Sequence, residues 1–199
     1  MLGLRVKRLN GPTGLGLSTA PRDFFAFDLA SGETYLVADR VLKAAPRDLR
    51  WMPAIVAAPN GSVGGLDGGV EACEKRAIEL GLPFQLPPSS PCGVPRAMRA
   101  ADFAAAHGFG GAFMQLCSRL RFAGGFDIDG EVLATLNISG APSSFAKGLL
   151  AAADDIKRDV LLAASTSWLE KEDIRRLPAL RLDEKLVCGQ AGIIQLLER

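Results

Sequence analysis

A chain of 199 residues, 48% of them hydrophobic, can bury one sizeable core with a second smaller lobe. With 23 Lys and Arg against 22 Asp and Glu, a net charge of +1 offers no bulk attraction to nucleic acid or to a membrane surface. Charges and glycines interrupt every apolar run well before the roughly 18 residues a membrane span needs, so the sequence is read as soluble, with neither a nucleic-acid nor a membrane partner.

Met1 to Arg22 carries Arg5, Lys7, Arg8 and Arg22 and no acidic residue, and lacks the apolar segment of a secretory signal. Its glycines and prolines suit a loose extension or a small edge strand. Asp23 to Leu29 is aromatic and apolar and stops at Ser31-Gly32, the pattern of a central strand. Tyr35, Leu36, Ala38, Val41, Leu42 and Ala45 then recur at helical spacing, and Pro46 closes the run. Leu49 to Val56 reads as a second strand, with Pro53 forcing an edge position or a bulge. Strand, helix and strand in this order predict a parallel pair with a right-handed crossover.

A glycine-rich loop follows from Pro59 to Gly69. Beyond it Val70, Cys73, Ala77 and Leu80 form an apolar helical stripe ended by Gly81, and Leu82 to Pro91 is an extended connector. Helical patterns cover Pro95 to His107, the face of Phe113, Leu116, Cys117 and Leu120, Gly130 to Leu136, Phe145 to Ala153, and Ile156 to Trp168. The character then changes. Pro178 to Leu182 and Lys185 to Cys188 predict a hairpin turning at Asp183-Glu184, and Gly189 opens a last helix through Ile193, Ile194, Leu196 and Leu197. The order is βαβ, several helices, then ββα.

Cys73, Cys92, Cys117 and Cys188 contain no C-x-x-C pair and no zinc-like spacing. They are read as buried, reduced thiols of a cytoplasmic protein, with no metal and no resolving sulfur for disulfide exchange. His107, the only histidine, sits at a helix end before Gly108 and is read as a solvated terminus. Asp127, Asp129 and Glu131 lack the remaining ligands of a calcium loop. The glycines at 61, 64, 65, 68 and 69 lack the G-K-[ST] of a phosphate cradle and are read as a flexible loop, a candidate lid. Trp51 and Trp168 are read as core or cleft-wall residues.

Phe25 to Ala38, with Ser31 at the strand-to-helix junction, resembles the F-D-F-x-S-P-x-x-Y-L-A opening of 2-hydroxychromene-2-carboxylate isomerases and kappa-class glutathione transferases, members of the DsbA-like thioredoxin-fold superfamily. Gly81-Leu82-Pro83-Phe84 is similar to that family's G-L-P-F connector. Phe126 to Leu133 resembles D-I-S-D-P-E-V-L, Leu177 to Leu180 and then Gly189-Gln190 resemble V-P-T-F and W-G-Q, and Thr166 meets a recurrent threonine. The likeness runs from about Asp23 to Glu198. It implies an α/β thioredoxin-like fold, βαβ … ββα, interrupted by an all-helical insertion. The thioredoxin-like domain would comprise residues 23–57 and 170–199, the helical insertion 58–169, and the N-terminal extension 1–22.

The resemblance also implies chemistry. The protein would be a glutathione-dependent isomerase or transferase for a small aromatic or conjugated substrate, and the family's usual dimer points to a homodimer. Ser31 would be catalytic, stabilising the thiolate at a helix N-terminus that favours anions. Pro178 would be cis, Leu177 and Pro178 would pair with the thiol-bearing peptide, and Gln190 would contact its γ-glutamyl end. Apart from the resemblance, Arg175 and Arg176 read first as a plain solvated pair, with binding of an anionic ligand group by Arg176 and its neighbour as the alternative. A simpler role for Ser31, capping the helix, is equally consistent with its position. The chain departs from the pattern at Gly32, which replaces proline, at Cys188, which replaces tryptophan, and at Ala191 and Gly192, which replace Asp and Arg. Arg175-Arg176 replaces F-G, and the region between Pro53 and Gly81 is shorter. These departures keep a second reading open, a non-catalytic thioredoxin-fold binding protein. A third, a thiol-disulfide oxidoreductase, is disfavoured by the missing cysteine pair.

Overall fold

Phe24, Phe25, Ala26 and Phe27 form strand β1 (Phe24–Phe27), and none of the four is exposed to solvent. A continuous apolar run of this kind suits a strand covered on both faces. The computed structural model describes residues 22–55, 69–88 and 93–198. In it β1 is flanked by β2 (Arg50–Pro53), which pairs parallel, and by β3 (Ala179–Leu182), which pairs antiparallel; β4 (Lys185–Cys188) completes the order β2-β1-β3-β4. The two ends of the chain therefore share one mixed sheet, the thioredoxin-like arrangement that the resemblance implies. Pro53 is accommodated because β2 is an edge strand. Asp183 and Glu184 link β3 to β4 with φ of 48° and 67°, the two left-handed residues of a type I′ hairpin turn. The Asp183 N–H donates to Asp23 Oδ1 at 3.0 Å, which fastens the turn to the start of β1.

Side chains alternate across the sheet. Phe25 and Phe27 face the larger core, with Val37, Val41, Met98, Phe113, Leu149 and Ile193. Phe24 and Ala26 face the other, with Met52, Leu169, Ile174 and Leu177, and Trp168 meets Phe24 edge-on at 5.3 Å. Helix α1 (Gly32–Ala44) packs on α4 (Gly110–Phe122) and on α8 (Gly189–Leu197). Helices α2 (Gly69–Glu79), α3 (Pro95–Ala106), α5 (Val132–Thr135), α6 (Ser143–Asp154) and α7 (Asp159–Lys171) lie between the halves of the sheet in sequence. Two expectations need correction. The helix expected over 130–136 is a single turn, α5, and the one expected over 156–168 is split. There the Asp155 side chain accepts the Lys157 N–H at 3.1 Å and draws Ile156–Arg158 into a 3₁₀ turn, after which α7 runs on to Lys171. The expected glycine-rich lid falls on residues 56–68, and the N-terminal extension on residues 1–21, outside the described residues; Gly69 is already helical.

Two of the three acids, Asp127 and Asp129, have a structural use. Asp129 Oδ1 accepts the Ala97 N–H of the first turn of α3 at 2.8 Å, Arg96 donates to the Asp129 carbonyl at 2.7 Å, and Asp127 Oδ1 accepts the Asp129 N–H at 3.0 Å. The stretch that resembles D-I-S-D thus caps α3 from a distance. Asp129→Ala is expected to lower unfolding free energy by about 1–2 kcal/mol in urea titrations, the cost of a lost N-cap; an unchanged midpoint would show the cap to be idle. Thr166 pins α7 to the end of β2, its Oγ1 accepting the Ile55 N–H at 3.2 Å and lying 3.1 Å from both the Ile55 and Leu162 carbonyls.

Candidate active site at the turn from β1 to α1

Asp28 to Ser31 carry the chain out of the sheet. The Ser31 N–H donates to the Asp28 carbonyl at 3.1 Å, and the Ala30 N–H to Asp28 Oδ1 at 2.8 Å, so the aspartate closes its own turn. The Leu29 N–H meets Met98 Sδ at 3.4 Å, which ties the turn to α3. Burial pushes the Asp28 carboxyl up to about 6, against the opposing pull of the Ala30 N–H and of the nearby Arg121 guanidinium.

Ser31 stands at the N-cap of α1 with φ −88° and ψ 121°, yet its side chain caps nothing. Only 2% of the residue is exposed, and among the described residues its Oγ has no hydrogen-bond partner; Thr34 Oγ1, three residues on in α1, is likewise buried and without a partner among them. The simple capping role is therefore not the one this hydroxyl plays. Buried hydroxyls without partners are uncommon, because the lost hydration costs about 1–3 kcal/mol.

The Leu177–Pro178 peptide is cis, as the motif implies. The Pro178 carbonyl accepts the Gly189 N–H at 2.7 Å, so the cis turn abuts the start of α8. Two of the residues named from the sequence meet at one side chain that was not named. Glu33, in the first turn of α1, accepts from Arg176 Nη2 at 2.7 Å through Oε1 and from the Gln190 N–H at 3.0 Å through Oε2. The Gln190 side-chain oxygen in turn accepts from Arg76 Nε at 3.3 Å. The start of α1, the cis turn and the start of α8 are thereby joined at one corner. Arg175 does not act with Arg176: it is exposed and pairs with Asp173 at 2.9 Å. An acid in a first helical turn reads in sequence as ordinary dipole complementation. The one signal for more was its charge, opposite to that of the arginines before Pro178.

No family model and no curated protein matches the chain. Solved structures do match it. A structure of 2-hydroxychromene-2-carboxylate isomerase superposes with a TM-score of 0.65 at 16% identity, covering 88% of this chain and 92% of that one. The cytosolic disulfide reductase DsbM from Pseudomonas aeruginosa, solved with GSH, superposes with a TM-score of 0.64 at 18% identity, covering 88% and 96%. The chain has a thioredoxin-like fold.

Within that fold the described cysteines are not poised for exchange. Burial pushes the Cys73 thiol up to about 12, with the Glu33 charge adding to it, and also raises that of Cys117; Cys188, expected to be buried, is instead exposed at the end of β4, where partial desolvation still raises its thiol against the Arg176 charge. Cys92 lies outside the described residues. His107 ends α3 exposed, its Nδ1 2.8 Å from the Phe103 carbonyl and its ring 4.0 Å from that of Phe103. Among the described residues no cluster of His, Cys, Asp and Glu is placed to hold a metal ion, and no helix is long and apolar enough to cross a membrane.

Of the groups glutathione would need, this corner offers those at one end. The unsatisfied Ser31 hydroxyl suits a thiol, and the cis Leu177–Pro178 turn suits the peptide that carries it. At the α8 end the Gln190 N–H and side-chain oxygen are already engaged, and exposed Ala191 supplies no charge for an amine.

Proposed function

We propose that this chain is a thiol-dependent enzyme, an isomerase or transferase that uses glutathione or a related thiol on a small aromatic or conjugated substrate, and that it works in the cytoplasm as a homodimer. The observation that carries this is the Ser31 hydroxyl, buried at the N-terminus of α1 without a hydrogen-bond partner among the described residues. Its O–H donates to a ligand sulfur, and the helix end adds a positive field, so both favour thiolate over thiol; each pKa unit so gained is about 1.4 kcal/mol. Leu177 and Pro178 hold the thiol-bearing peptide in extended form beside it. A thiol bound there supplies a nucleophile for addition to a conjugated double bond. Because Ser31 is covered, contact with the sulfur requires the groups above it to move aside.

Titration calorimetry with glutathione on wild type and Ser31→Ala tests this. Saturable millimolar binding, weakened about tenfold by the substitution, is the expected result. Urea stability separates this role from a cap. Removing an unsatisfied hydroxyl leaves stability unchanged or raises it by about 1 kcal/mol, whereas losing a cap lowers it by as much. The engaged α8 end and Ala191 favour the competing reading, a non-catalytic binding protein. Absence of any thiol binding at about 10 mM, an affinity weaker than about −2.7 kcal/mol, would decide for it.

A further inference from the structure

Glu33 is held by donors from two distant parts of the chain, and its side chain is only 7% exposed. The guanidinium of Arg176 at 2.7 Å and the Gln190 N–H at 3.0 Å take one carboxylate oxygen each. A guanidinium together with an N–H at the start of a helix is how proteins commonly hold the carboxylate of a ligand. The surroundings keep that arrangement in place. Gly189 has φ of 75°, and a Cβ there would come within 2.9 Å of Arg176 Nε, so the first residue of α8 leaves room for the guanidinium. Gln190 is fixed from its other side by Arg76.

We propose that Glu33 is an internal ligand: it fills a carboxylate seat made by Arg176 and the start of α8, and so sets which thiols the site accepts. Thiols without a carboxylate at that end bind with Glu33 in place. Thiols that carry one, those of γ-glutamyl type included, must displace it. The specificity half of this inference rests on the thiol reading of Ser31; the seat itself does not.

Two measurements on wild type and Glu33→Ala test the halves separately. The first is thermal stability under added sodium acetate, against sodium chloride at equal ionic strength. Acetate is expected to raise the melting temperature of Glu33→Ala saturably and to leave wild type at its chloride value. A folded Glu33→Ala that responds to the two salts alike overturns the seat. The second is calorimetry with glutathione and with cysteamine, a thiol that has no carboxylate. Glutathione is expected to bind Glu33→Ala about tenfold more tightly than wild type, with cysteamine changed less than twofold. Equal glutathione affinity in the two proteins overturns the specificity role. If neither thiol binds either protein while acetate still rescues the variant, the thiol reading fails and the seat stands. Should Glu33→Ala not fold, Glu33→Gln serves: its amide oxygen keeps the Gln190 bond and loses the charge toward Arg176, and a smaller acetate response and a smaller gain for glutathione are expected.

Discussion

Asp28→Asn is expected to stabilise the folded chain at pH 7 by about 2–3 kcal/mol and to change nothing below about pH 4. A carboxyl that ionises at about 6 in the fold, against 3.8 in the open chain, makes ionisation in the fold unfavourable by about 3 kcal/mol. The sign follows from which state holds the proton more tightly. Here it is the folded one, so the stability associated with this group is intact below pH 3.8 and is lost as pH rises through about 6. Asparagine resembles the protonated form and keeps an oxygen for the Ala30 N–H, now 2.8 Å from Asp28 Oδ1. The opposing influence is Arg121, whose charge favours an ionised Asp28, but desolvation is the larger effect. Urea unfolding of both proteins at pH 4, 5, 6 and 7 checks this. A gap that grows from near zero at the acid end is the expected result. A gap that is flat with pH would mean that the Arg121 charge and the Ala30 N–H balance the burial, and one that reverses at pH 7 that they outweigh it.

Where the sequence was legible, local pattern and tertiary setting agreed. The run of Phe24 to Phe27 has the aromatic character of a strand buried on both faces, and it is the central strand flanked by β2 and β3. Asp183-Glu184 was readable as a hairpin turn because two short strand-like segments are joined by only two residues; Asp183 suits the left-handed backbone, whereas Glu184 takes φ of 67° against its own preference. The cis peptide at Pro178 came from motif context, not from local preference. The site was harder because its contacts are long-range: Glu33 lies 143 residues from Arg176 and 157 from Gln190 in the chain, and no periodicity links them. Ser31 had the residue type and position of a cap, yet Asp28 closes the turn and the serine hydroxyl is left over. Spacing alone carries no information about such competition. The same holds at residue 156, where an unbroken apolar pattern suggested one helix and a side-chain oxygen of Asp155 tightened its first turn.

Gly111→Ala sets two known magnitudes against each other, and the close approach of Trp51 decides between them. In an open helix the change would gain up to about 1 kcal/mol in propensity. Here a Cβ on Gly111 would lie 2.5 Å from Trp51 Cζ2, 2.7 Å from Cε2 and 2.8 Å from Leu42 Cδ1. The leucine methyl can turn away. The indole cannot, because it packs edge-on against Phe25 at 5.8 Å within the larger core. Overpacking of this kind costs about 1–3 kcal/mol and occasionally more, so the net expected change is a destabilisation of about 1–2 kcal/mol. The control is the same substitution made in Trp51→Ala. Without the indole the clash is gone and the propensity gain remains, so Gly111→Ala becomes neutral or stabilising there, with a coupling of at least about 1 kcal/mol in the double-mutant cycle. Additive effects across the cycle would show that the indole moves freely and that Gly111 is not what allows α4 to lie against β2. The prediction bears on the site because α4 also packs on α1, the helix that begins at Ser31.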